Sequence, residues 1–274
     1  MRLIWSRKLY IQNPWEPKFR GVFSHCKSEI SFYYMDGNMV MGVCGCTGNP
    51  IVLTKQTHEQ KIPLPRYWAI VEKEGERYLL CGADVAISLE KNHPVNPVPE
   101  DLRNIYLKQQ TSSKHFIEDS FVFDEYQISH KGEWGYSCKK DDVEIWRFSG
   151  RGYLYTDIFR RSDQIYFGTA GSGGYFYILN ISTGNSILSL RTGGTTVIKQ
   201  RGACCYLYTD VGRRKSRLAC VNLSDGRILE DIELPGTASV DSVLGLHEDS
   251  IYTITFQFKK GAVENAVLSC ISLN

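Results

Sequence analysis

The sequence predicts an all-β protein, a single β-propeller of four-stranded blades over residues 1–274, and three observations carry that expectation. Asp163–Gly194 is echoed by Gly202–Gly236, and a shorter copy, Asp249–Asn274, follows. Each copy runs from an aromatic-rich strand through a polar turn to a second apolar strand. The first two copies add a Ser-Thr-Gly or Ser-Asp-Gly turn and a third strand. No stretch shows a long helical period. Repeats of this length built only of short strands are the signature of propeller blades.

From the N-terminus, Arg2–Ile11 has strand composition. It either completes the last copy, which ends at Asn274 without an outer strand, and so closes the ring, or forms a simple edge strand. In Ile30–Thr54, Asp36-Gly37-Asn38 is a hairpin signal between apolar runs. Arg66–Glu90 reads as two strands about Glu72–Glu76 and then a third. His93–Pro99 (HPVNPVP) is expected to be a stiff, extended connector, because each Pro fixes φ and restrains its predecessor. Trp134–Ile158 reads as a further blade with its turn at Lys139–Asp142, and Ser149-Gly150 stands where Thr183-Gly184 stands later.

The copies then repeat in register. Tyr166 to Tyr206 and Thr169 to Thr209 are 40 apart, and Asn180 to Asn222 is 42. Thr183-Gly184 matches Asp225-Gly226, turn pairs in which a tight reversal wants positive φ. Cys220 to Cys270 is 50, with a longer loop expected over Phe258–Asn265. At about 42 residues per unit the chain holds six or seven blades.

Composition narrows the class. Aromatics make up 12% of the chain, 16 of them Tyr, which suits pleated sheets stacked face to face. A formal net charge of +2 gives no reason to expect nucleic acid or an anionic membrane as partner. No 18-residue apolar run marks a membrane span. Ser6, Arg7, Lys8, Gln12 and Asn13 interrupt any signal-length apolar run, so a cytoplasmic protein is expected. The nine cysteines are an odd number, several in apolar strands such as Leu218–Leu223 and Leu268–Leu273, and are expected to be reduced packing groups. Cys44-Gly45-Cys46 has no second Cys pair of zinc-site spacing and no His pair nearby, so no metal is expected.

Two stretches, Tyr175–Ile181 followed by Thr183-Gly184 and Leu218–Leu223 followed by Asp225-Gly226, resemble the PQQ-like, quinoprotein-type propeller repeat. The resemblance covers roughly the last 140 residues. That family follows its Asp/Thr-Gly turn with a strand that often ends in Trp; Leu188–Leu190 and Leu229–Ile232 stand there instead. Its dehydrogenases hold a quinone cofactor with acidic, Asn and Arg side chains and usually bridge adjacent cysteines. Cys204-Cys205 matches that only superficially, and the chain is short for such an enzyme. The resemblance therefore implies the noncatalytic branch, whose members serve as protein-binding scaffolds, and no cofactor is expected.

Gly168–Gly174 lacks the Lys-Ser/Thr ending and following helix of a phosphate loop and reads as a strand connection. Arg213, Arg214, Lys215 and Arg217 place four cations within five residues of one hairpin, and Arg160-Arg161 occupies the connection before the previous copy. They read either as a docking patch for an acidic partner or, with more weight, as solvated tips. Trp15 in NPWEP is an interface anchor or an edge-packed ring. The histidines at 25, 58, 93, 115, 130 and 247 form no catalytic set by spacing. The acidic zone at Glu118, Asp119, Asp124, Glu125, Asp141 and Asp142 looks like surface loops. The expectation is a scaffold that binds one protein partner one-to-one, with an inhibitor or immunity protein blocking a toxin as its sharper form. The alternative is an enzyme or a binder of a sugar or quinone-like molecule in the central channel.

Overall fold

The computed structural model describes residues 1–10, 21–26, 29–36, 39–44, 50–55, 68–112, 120–131, 135–171, 173–239 and 242–274. Their strands form six sheets. β1 (Arg2–Tyr10) comes first. The first meander is β2 (Gly21–Cys26), β3 (Glu29–Asp36), β4 (Met39–Cys44) and β5 (Pro50–Lys55). The second is β6 (Ala69–Lys73), β7 (Glu76–Gly82), β8 (Val85–Ser88) and β9 (His93–Val95), followed by a helix, α1 (Glu100–Ser112). The third is β10 (Ser120–Phe123), β11 (Tyr126–Lys131), β12 (Gly135–Lys140) and β13 (Val143–Ser149). In the fourth, β14 (Tyr153–Leu154) and β15 (Phe159–Arg161) both pair with β16 (Gln164–Ala170), which continues to β17 (Tyr175–Asn180) and β18 (Ser186–Arg191). The fifth is β19 (Ile198–Arg201), β20 (Cys204–Thr209), β21 (Arg217–Asn222) and β22 (Ile228–Glu233). The last holds β23 (Leu244–His247), β24 (Ser250–Lys259) and β25 (Ala262–Ser272), and β1 is hydrogen-bonded beside β25.

Four of the sheets are plain four-stranded up-and-down meanders with the topology of a propeller blade; the fourth adds a strand beside β16, and the last takes in β1. The first strand of the chain supplies the strand that the last copy lacks. The chain divides into two compact units: Met1–Arg2, Phe116–Leu244 and Leu273–Asn274 form one, and Leu3–His115 with Gly245–Ser272 the other.

In the first unit the repeat is visible residue by residue. Pairing of the third and fourth strands slips by one residue at Cys138/Lys139, at Ile178/Leu179 and at Cys220/Val221. The residues left over in the opposing strands, Ile145, Ile187 and Leu229, are all apolar. Just beyond each slip, Trp146, Leu188 and Glu230 occupy equivalent positions. The turns also recur. Gly184 N–H donates to Asn180 O and Gly226 N–H to Asn222 O, both at 2.9 Å. The two Asn side chains accept from Ser182 N–H at 3.1 Å and Ser224 N–H at 2.8 Å, the Asx turn that makes Asn recur there. Gly184 and Gly226 both have φ of 71°, in the left-handed region that favours glycine.

Adjacent sheets are keyed together by side chains. The indole of Trp146 lies against Gly184, where an added Cβ would come within 2.6 Å of Cδ2, and its Nε1–H donates to Ile181 O at 2.7 Å. Gln164 Nε2 donates to Ser224 O at 2.7 Å in the next pair of sheets. Tyr136, Cys138, Trp146, Phe167, Tyr177 and Leu179 belong to one buried cluster between the third and fourth sheets. Phe176, Ile178, Leu207, Val221 and Leu223 belong to the cluster between the fourth and fifth. In the second unit Leu79, Cys81, Ile87, Val40 and Leu53 pack together.

Four expectations are corrected. First, Glu100–Ser112 is a helix, although the sequence shows no long helical period. Leu102 and Tyr106 are one turn apart and pack on Leu80 and Ala86, so burial of a narrow stripe holds a helix of weak periodicity. Pro99 O accepts from Arg103 N–H at 3.1 Å, and Glu100 and Asp101 fill the first turn, where negative charge suits the helix dipole. Second, the head of the Pro-rich connector is β9, with Pro94 on an outer strand where it breaks no inner ladder. Third, the equivalent of Thr183-Gly184 is Asp141-Asp142, both at positive φ, and Ser149 ends β13 instead. Fourth, Phe258–Asn265 is not a long loop, because β24 and β25 continue pairing to Lys259 opposite Ala262.

Candidate functional site

The register places several loops of the first unit at one end of its sheets. Tyr153 lies opposite Ala170, Tyr175 opposite Arg191, and Arg217 opposite both Thr209 and Glu233. The β16–β17 and β20–β21 hairpins therefore share this end with the connections at 150–152, 192–197 and 234–239. Their backbones are bonded to one another. Thr192 N–H donates to Gly174 O at 3.0 Å, Val211 N–H to Thr192 O at 2.9 Å, and Gly212 N–H to Ala238 O at 3.0 Å.

Buried hydroxyls complete the scaffold. Thr169 Oγ1 donates to Arg151 O at 2.7 Å and accepts from Tyr175 N–H at 2.9 Å. Thr192 and Thr196 hydroxyls are 2.8 Å apart. Ser216 Oγ donates to Asp210 O and accepts from Ala238 N–H. Loops pinned in this way hold exposed side chains in fixed positions.

Those side chains are mainly Arg and Tyr. The Arg151 guanidinium sits 6.0 Å from the centre of the Tyr175 ring and donates to its hydroxyl at 3.4 Å. Tyr175 stacks on Tyr177 with ring centres 5.6 Å apart. Arg151 N–H donates to the Tyr177 hydroxyl at 2.8 Å. Arg191 follows, directly across from Tyr175. A cleft of about 460 Å³ then opens between the fourth and fifth sheets, lined by Arg191, Gly193, Asp210, Val211, Gly212 and Arg213.

The hairpin cations foreseen from sequence are at this end, and most have local carboxylates. Arg213 Nε is 3.3 Å from Asp210 and Arg217 Nε 2.7 Å from Asp231, and Lys215 pairs with Glu233. Lys215 holds the Glu233 carboxyl below its ordinary pKa, and Asp231 raises the Arg217 guanidinium. Exposed pairs of this kind add little to stability. Arg214 is exposed, and its carbonyl accepts from the Thr237 hydroxyl at 2.9 Å. Among the described residues, Arg151, Arg191 and Arg214 have no carboxylate within ion-pair reach.

Arg160 and Arg161 lie on β15 rather than in a connection, at the opposite end of the sheets. Arg160 pairs with Asp124 at 2.6 Å, and Arg161 donates to Gly202 O. The structure therefore separates the two basic groups. Trp15, Trp134, the Cys44-Gly45-Cys46 side chains, and Glu118 and Asp119 lie outside the residues described. Arg151, Tyr175 and Arg191 escaped the sequence reading because they come from three separate segments.

Burial raises the Tyr136 hydroxyl well above the tyrosine range and also raises Tyr177, so both stay protonated as packing groups. Burial lifts the Cys138 thiol to about 11. The described cysteines 81, 138, 204, 205, 220 and 270 are free. No described group of three His, Cys, Asp or Glu side chains is placed to hold a metal. No described helix is long and apolar enough to cross a membrane.

No protein-family model matches the chain, and no curated protein matches it in sequence. Solved structures similar to it include the computationally designed protein Ika8, at TM-score 0.39 and 9% identity over 91% of this chain and 70% of that one. BamB from Moraxella catarrhalis matches at TM-score 0.36 and 10% identity over 91% and 71%. The WD40 propeller domain of Doa1 matches at TM-score 0.33 and 14% identity over 91% and 77%.

Proposed function

We propose that the chain is a protein-binding scaffold that presents the Arg- and Tyr-rich end of its first unit to one partner, one-to-one. The observation that carries this reading is the row Arg151–Tyr175–Arg191–Arg213, at strand ends and in loops of one end where the neighbouring backbones are bonded together. Tyr and Arg are the residue types that dominate binding energy in protein interfaces, and pre-ordered loops reduce the entropy lost on association. Arg214, Lys215 and Arg217 extend the row. Arg160 and Arg161 enter the proposal only as a second contact surface, and Trp15 only as a separate interface anchor.

We further read residues 1–274 as one domain and as a noncatalytic member of the PQQ-like propellers. Trp146 in the last strand of one sheet supports that kinship, because that is the strand in which the family often carries a Trp. The described cysteines, all of them free, support a reducing, cytosolic setting. An inhibitor or immunity protein that covers a toxin's active site is the specific form of the proposal.

The test is capture from lysate of the native source with tagged protein, then mass spectrometry and sizing of the complex. One stoichiometric protein is expected, lost from the variant carrying both Arg214→Glu and Lys215→Glu. A co-purified small molecule with no protein partner would overturn the reading in favour of ligand chemistry.

A further inference from the structure

We propose that the cleft between Arg191 and Arg213 seats a carboxylate side chain from an acidic segment of a protein. The inference rests on the protein-binding reading and names the chemistry of the partner. Three features of the cleft carry it.

The first is charge. Arg191 is exposed and has no carboxylate in reach among the described residues, while Arg213 has only Asp210, at 3.3 Å. With two guanidinium groups against one carboxylate, the cleft keeps a surplus cation. A guanidinium reads a planar carboxylate through two parallel hydrogen bonds, stronger and more directional than a neutral contact.

The second is shape. Gly193 and Gly212 line the cleft, and Gly173 lies against Arg191 beside it. A Cβ on Gly173 would come within 2.9 Å of Arg191 Nε, so the missing side chain makes room for the guanidinium. A Cβ on Gly193 would meet Val211 O at 2.8 Å, so glycine there lets the two loops approach. Gly212 has φ of 80° and meets nothing within 4 Å, which leaves bare backbone along one wall.

The third is that backbone donors on that wall are already used. Val211 N–H bonds Thr192 O, Gly212 N–H bonds Ala238 O, and Arg213 N–H bonds Asp210 O. A ligand is therefore recognised there by the two arginines rather than by a nest of amides. The surrounding charge selects the kind of anion. Asp210, Asp231 and Glu233 alternate with the cations and repel a continuous polyanion such as a nucleic-acid backbone. Carboxylates spaced along a peptide fit between them.

The probe is a fluorescein-labelled peptide of glutamates spaced by glycine and serine, followed by anisotropy at low salt with the full chain. Arg191→Gln and Arg213→Gln are each expected to weaken binding about tenfold. Arg227→Gln, exposed at the opposite end of the fifth sheet, should change it less than about twofold. Unchanged circular dichroism melts establish that the variants fold. No binding by the native protein, equal losses in all three variants, or no loss in any would each overturn the proposal. Stronger displacement of the peptide by a short single-stranded DNA than by unlabelled peptide would overturn it too. If lysate capture yields a partner that the Arg191→Gln, Arg213→Gln double variant holds equally well, this inference fails and the scaffold reading stands. Peptide binding that depends on both arginines, with no captured protein, supports the seat and counts against the scaffold reading.

Discussion

At the scale of single residues, the contact between Trp146 and Gly184 shows how neighbouring sheets are fixed to each other. The indole is 7% exposed, donates to Ile181 O and covers a turn whose glycine has positive φ. Trp146→Ala removes a large buried ring and is expected to cost about 3–5 kcal/mol. Gly184→Ala must adopt a left-handed conformation and push against the ring, which costs at least about 1 kcal/mol. With the ring gone, the added methyl has room, so the double variant should lose about 0.5–3 kcal/mol less than the sum of the two. Urea unfolding midpoints of the three variants measure this, and strict additivity would show that the two residues do not share one contact. Such a contact was hidden in the sequence. Trp146 and Gly184 belong to different units of the repeat, and Leu188 and Glu230 replace the Trp in the next two sheets.

At the scale of elements, what was legible was set by turns. Glu74-Gly75, Thr183-Gly184 and Asp225-Gly226 each offer a residue that tolerates positive φ between runs of strand formers, and each proved to be a reversal. β9 was hidden because Pro94 argues against a strand unless its outer position is known. α1 was hidden for a related reason: its stability comes from the sheet beneath it rather than from its own pattern. That account is testable. Leu102→Ala, at a side chain 1% exposed, should destabilise the protein by about 2–4 kcal/mol. Asn104→Ala on the exposed face should change stability by less than about 0.5 kcal/mol. A helix held by propensity rather than packing would instead gain from Asn104→Ala, because Ala is the better helix former, and lose little from Leu102→Ala in chemical denaturation. The candidate site was legible only where its cations are consecutive, as at Arg213-Arg214-Lys215. Arg151, Tyr175 and Arg191 become neighbours only once β14 and β18 take their places around β16 and β17.

At the scale of the whole molecule, the chain passes between its two compact units four times, with residues 1–2 and 273–274 in one and the intervening ends of β1 and β25 in the other. Neither unit is a continuous segment, so neither can be released by cutting a single linker. The single-domain proposal expects one calorimetric transition whose van't Hoff and calorimetric enthalpies agree. Two separable transitions would make the units independent domains. The pairing of β1 with β25 also has a consequence in time. On a ribosome adding about 5–20 residues per second, β1 emerges on the order of ten seconds to a minute before its partner exists. For that interval Leu3, Ile4 and Trp5 sit on a strand with no native neighbour. Until β25 has cleared the exit tunnel, the nascent chain therefore offers the residues of β1 to holdase chaperones without their native neighbour.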